Sequence, residues 1–258
     1  FHHAPEELRT FFGACLDAPE TANWEALACE GTGRLGEAIS RRRLTGFEIP
    51  SYLALSRIAR TATDVTLLCD AEWRLAKYLP EGHPRRLTAL ERTAAAASLA
   101  DRPQLVVQAA WMAHGDSPGE DALRRCIDYA IAGEDRECLR FFLIQAQYVI
   151  PDDERRQLAH DHLGEDGSGL LDTDPASAAI PQILLPENMM PPDAYEPPRM
   201  EDLQGEVPAN YWTEDAQLLL ELASMNADSR LYEEAAALFL LAGETAAAQG
   251  LLGDMEDT

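Results

Sequence analysis

Lysine is almost missing from this chain: Lys77 stands alone among twenty-one basic residues, and the rest are arginine. Basic charge as a whole is scarce, because forty-five acidic residues outnumber it and leave a formal net charge of −24. A field of that sign repels phosphate backbones and anionic membrane surfaces, so direct binding of nucleic acid is disfavoured. Nothing arranges the arginines into a stripe that would reverse this locally. Aromatic residues are modest at 7% and β-branched runs are thin, while alanine is abundant, so helix is the default expectation. The five cysteines (Cys15, Cys29, Cys69, Cys126 and Cys138) are odd in number and form no CxxC pair. That argues against a disulfide framework or a structural zinc and favours a reducing compartment. Each is expected on an apolar helix face, packed as a small buried thiol. No apolar run approaches the roughly 18–20 residues of a membrane-spanning helix. No secretory signal is visible, and GxSxG is absent.

What is present is helical periodicity. From Pro5 to about Leu163, amphipathic stretches follow one another with short polar turns between them. Glu6–Leu16 and Trp24–Ser40 open the series, and Pro50 takes a first-turn position before SYLALSRIART, as proline prefers. Asp64 can cap the next stretch, whose Val65, Leu68, Leu75 and Tyr78 share a face and which Pro80 closes. Leu87–Leu99 and Pro103–His114 follow, the second with Asp101 as a candidate cap. Leu123, Ile127, Ala130 and Ile131 align in Ala122–Ala132, which Gly133 ends. Asp135 opens a helix carrying Leu139, Phe142, Leu143, Ala146 and Val149, and Pro151 starts a polar one. At the other end, Leu218, Leu222 and Met225, then Leu231, Ala235, Leu238 and Phe239, recur at helical spacing about a polar turn, and Gly243 marks a stop. The expected fold is all-α: an elongated α-solenoid of antiparallel helix pairs, interrupted by a long proline-rich insertion. In domain terms, 1–163 is a helical array, 164–212 the acidic, extended insertion, and 213–258 a helix pair that continues the array.

The insertion is defined by composition. Eight of the sixteen prolines fall between Asp174 and Pro208, with seven acidic residues and a single arginine. Proline cannot continue a helix and pre-sets extended geometry. Yet the segment also carries Ile183, Leu184, Leu185, Met189 and Met190, and Tyr211 and Trp212 follow it. These seven residues are the candidate partner-contact set, since methionine-rich apolar stretches adapt to uneven surfaces. The competing reading is that they close over their own domain's core.

Patterns that suggest chemistry have simpler explanations. Gly31-Thr-Gly33-Arg-Leu-Gly36 matches GxGxxG, but an amphipathic helical run precedes it where a dinucleotide fold needs a strand. His160 and His162 are two apart on a helix and point to different faces, so they cannot chelate jointly. Acidic pairs at Glu120-Asp121, Glu134-Asp135 and Asp152-Asp153-Glu154 fall at helix starts, where they offset the macrodipole. No acid stands out as buried within an apolar helix face, which would have pointed to a carboxylate or metal site in a bundle core. Accordingly no catalytic, cofactor-binding or metal-ligating residue is nominated, and no cofactor is expected.

The segment SRLYEEAAALFLLAG resembles a repeat of the nucleoporin-interacting component family, the large helical scaffold and linker nucleoporins of the nuclear pore inner ring. GDSPGEDALRRCIDYAIAGEDRECLRFFL is similar to that family's Gly-Glu-rich turn and Leu-Arg-Cys helix, and LGEDGSGLL to its Asp-Gly-Ser junction. The likeness covers about Asp101 to Leu252, and the proline-rich stretch must be removed before the flanks align. It implies a non-enzymatic scaffold at the nuclear envelope, as a piece of a longer protein. Its implied partners are other scaffold and adaptor nucleoporins, docking short helices or extended segments between its helices. Two other readings stay open: a vesicle-coat or ciliary-transport scaffold with similar repeats, and a helical-bundle enzyme.

Overall fold

The computed structural model describes residues 21–42, 48–114, 119–164, 168–185, 203–226 and 228–256, and the regular structure among them is helical throughout. The first helices are α1 (Thr21–Gly31), α2 (Leu35–Arg42), α3 (Glu48–Ala62) and α4 (Val65–Tyr78). The single stretch expected over Trp24–Ser40 is therefore two helices. Gly33 adopts the left-handed φ of 75° that glycine tolerates, and Thr32 turns its hydroxyl back onto the Ala28 carbonyl at 2.9 Å. The GxGxxG match lies on this helix break.

Then come α5 (Pro84–Leu99), α6 (Pro103–His114), α7 (Glu120–Ala132), α8 (Arg136–Gln145), α9 (Asp152–Leu163) and the single turn α10 (Ser168–Leu171). After the proline-rich stretch follow α11 (Ala209–Asn226), α12 (Ser229–Leu241) and α13 (Thr245–Glu256). Most helix starts are visible as chemistry. Asp64 Oδ1 accepts from the Thr66 and Leu67 amides, Asp135 from Cys138 and Asp228 from Arg230. Asp101 is different: it sits just past α5 with φ 55°, in a left-handed turn at a helix end rather than as a cap.

The chain divides into two compact units, and the division falls within α4. Unit 1 combines Phe1–Ala71 with Tyr195–Thr258. Within it α1 packs on α2, α11 on α12 and α12 on α13, and α3 also touches α11. Unit 2, Glu72–Ala194, is a succession in which α5, α6, α7, α8 and α9 each pack on the next. Its core is built on Leu123, Ile127, Leu139, Phe142 and Leu143, with Trp111 edge-on to Phe141 at 5.2 Å.

Candidate partner-contact site

Two extended stretches flank the undescribed middle of the proline-rich region. In unit 2, Pro175–Leu185 lies along α6 and α8, shaped by two short 3-10 turns (Pro175–Ser177 and Gln182–Leu184). Leu184 is 2% exposed within the unit's core, and Ile183 and Ala178 pack against it, partly buried. Two side-chain amides hold the backbone. Gln108 Nε2 on α6 donates to the Ile183 carbonyl at 2.9 Å, and Gln145 Nε2 at the end of α8 donates to the Pro175 carbonyl at 3.0 Å. In unit 1, residues 203–207 run beside the α1–α2 turn. The Gly36 amide donates to the Leu203 carbonyl and the Gly205 amide to the Gly33 carbonyl, at 3.1 and 3.2 Å.

The seven candidate contact residues are thus dispersed. Ile183, Leu184 and Leu185 belong to unit 2, with Leu184 buried and its neighbours half-buried. Tyr211 and Trp212 belong to unit 1. Tyr211 carries the Arg60 guanidinium 3.7 Å above its ring, and Trp212 is buried. Met189 and Met190 lie outside the described residues.

Unit 1 also holds what the sequence reading missed. The expectation that no acid is buried on an apolar face is wrong: Glu30, Asp70, Glu72, Asp215 and Glu234 are all buried. Glu30, Asp215 and Glu234 meet Arg42 and Arg57, whose side chains are fully enclosed. Arg57 Nη2 donates to Glu30 at 2.9 Å and Nη1 to Asp215 at 2.7 Å. Arg42 Nη2 donates to Glu234 at 2.6 Å and stands 3.6 Å from Glu30. Asn23 completes the set, accepting from Arg42 and donating to Glu234. The cluster therefore ties α1, α2 and α3 to α11 and α12. Burial works against the Arg57 charge, but the facing carboxylates of Glu30 and Asp215 more than offset it and raise its pKa above the ordinary arginine value. In unit 2 a smaller version recurs. Glu72, fully buried on α4, accepts from Arg85 at 2.9 and 3.0 Å and from Arg92 at 3.1 Å.

These charges are paired with one another rather than aimed at an open space. A cleft of about 250 Å³ in unit 2 is lined by Ile131, Glu134, Asp135, Arg136, Leu139 and His162. Within it Asp135 caps α8 and Arg136 donates to the Leu163 carbonyl. His160 and His162 are both exposed on α9, and among the described residues no group of three His, Cys, Asp or Glu could hold a metal ion. The thiols of Cys29, Cys126 and Cys138 are raised by burial, Cys126 to about 12, so they stay protonated and unreactive at neutral pH. Among the described residues no helix is long and apolar enough to cross a membrane. Among the described residues the fold is thus that of an all-helical protein with many neighbouring helix pairs in contact. No family model, curated protein or solved structure matches the chain.

Proposed function

We propose that this chain is part of a structural scaffold that holds other proteins, and that its setting is the inner ring of the nuclear pore. The observation that carries the scaffold reading is the use made of buried charge. Glu30, Arg42, Arg57, Asp215 and Glu234 bind helix to helix, which serves rigidity and register and leaves them little freedom for catalysis. The run α5 to α9, each helix on the next, is the packing a solenoid repeats, and it supports an α-solenoid of antiparallel helix pairs as the architecture. Nearest-neighbour stacking alone does not describe unit 1, where α11 reaches α3. The nuclear pore setting rests on the resemblance of SRLYEEAAALFLLAG and of the α7–α8 region. In the fold, the former is the Asp228-capped α12 with its left-handed stop at Gly243 (φ 84°).

The test is affinity capture from nuclear-envelope extract with the intact chain as bait. Enrichment of scaffold and adaptor nucleoporins is the expected result. Recovery of vesicle-coat or ciliary-transport subunits instead would move the protein to that assembly, and recovery of neither would end the scaffold reading.

A further inference from the structure

The stretch Pro175–Leu185 is held in a manner unlike the helices around it. Two of its main-chain carbonyls are each taken by a glutamine amide of a helix: Ile183 by Gln108 and Pro175 by Gln145. Its deep apolar contacts are Leu184 and, one turn earlier, the buried Pro181. Ala176, Ser177, Ala179, Ile180 and Gln182 between these points face solvent. Its internal hydrogen bonds are confined to single turns, such as Leu184 N to the Pro181 carbonyl at 2.9 Å. Two backbone carbonyls, a buried proline and a buried leucine are features that do not depend on the exposed alanine, serine and isoleucine side chains between them. Any extended chain with proline and a leucine three residues later offers the same features.

We propose that the groove between α6 and α8 is a docking site for an extended, proline-led aliphatic segment of a partner protein, kept closed in cis by Pro175–Leu185. The bound strap shows the chemistry the groove accepts: Pro-x-x-Leu, extended, with carbonyls in reach of both glutamines. A partner segment must displace a strap whose effective concentration is set by its own tether, so the closed state is the default and opening is competitive. This deepens the partner-holding role and rests on it. It does not rest on the nuclear pore setting, which the capture experiment tests separately.

The experiment uses the full chain and a fluorescent peptide of its own sequence, Asp174–Pro186. Changing Ile183→Asp and Leu184→Asp together in the protein releases the strap. With helix content unchanged by circular dichroism, that variant should bind the peptide at least about tenfold more tightly than the unaltered chain, because the tethered competitor is gone. Adding Gln108→Ala and Gln145→Ala should weaken the binding again, and a peptide carrying the two aspartates should not bind. Equal binding by released and unaltered chains, or none by either, overturns the proposal. Should the released variant lose its helices, native-state amide exchange on the unaltered chain decides. The Leu184 and Leu185 amides should exchange at least about 100-fold faster than those of Phe142 and Leu143, reporting a strap that opens without unfolding α8. Equal protection would make the strap a fixed part of the core and end the proposal.

Discussion

Arg57 on α3 joins three helices of unit 1. Its guanidinium bridges Glu30 on α1 and Asp215 on α11, and all three side chains are shut off from water. Removing one partner of a buried ion pair leaves the other charged and unsolvated, which typically costs about 3–5 kcal/mol. Arg57→Met should therefore lower the unfolding free energy obtained by urea titration by an amount in that range. Adding Asp215→Leu should recover part of the loss, so the two changes are non-additive. The buried thiol of Cys126 gives a pH signature. Burial raises its pKa from 9.0 to about 12, so the unfolded chain gives up that proton first as pH rises. The stabilisation is complete below 9 and is lost across the window from 9 to about 12. Stability measured through that window should fall less steeply in Cys126→Ala than in the parent chain. Cys126, Cys138, Cys69 and Cys29 were readable as buried thiols from their apolar faces. The buried acids left a fainter trace: Asp215 follows Trp212 by three and precedes Leu219 by four, and Glu234 follows Leu231 by three. An acid in the apolar stripe of a helix signals a partner elsewhere, but it does not name that partner.

At the scale of the element, the sequence announces where helices begin better than where they end. Asp64, Asp135 and Asp228 each satisfy open amides of the first turn within three residues, so their role needs only local geometry. The end of α7 shows the limit. Gly133 was expected as a stop, and it is the C-cap, but its φ is −86° and the left-handed position falls to Glu134 at 53°. The reason for glycine is the neighbouring element: a Cβ at residue 133 would lie 2.7 Å from Pro103 Cβ, at the start of α6. Proline is stiff and cannot yield, so Gly133→Ala should destabilise the protein by about 1–3 kcal/mol through overpacking. Thermal unfolding of the single variant measures this. A change at Gly164, which has open space around its Cβ position, would show the cost of left-handed backbone without a clash.

At the scale of the whole molecule, the excess of acid is the dominant fact. Many of the arginines are engaged in ion pairs, some wholly buried, so the excess of negative charge is left without basic counterparts. Like charges on a compact chain repel one another, and salt screens them over about 10 Å at 0.1 M. The melting temperature at pH 7 should therefore rise between low and physiological ionic strength. A variant with several exposed acids neutralised, such as Asp153→Asn, Asp161→Asn and Glu137→Gln together, should show a smaller rise. The same charge is the physical ground on which nucleic acid is disfavoured as a partner.

The sequence by itself determined that the chain is helical, where most helices start, that the thiols of Cys29, Cys69, Cys126 and Cys138 are buried (Cys15 lies outside the described residues), and what sign of charge prevails. All of these follow from periodicity, side-chain chemistry and counting, which act within a few residues or over the molecule as a sum. Tertiary structure alone decided that α11 and α12 bind α1, α2 and α3 through buried arginines and acids. It also decided that Leu184 is a core residue and that a clash with Pro103 makes Gly133 glycine. Each of these depends on groups far apart in the chain, and helical periodicity fixes which face a residue occupies without fixing what that face meets.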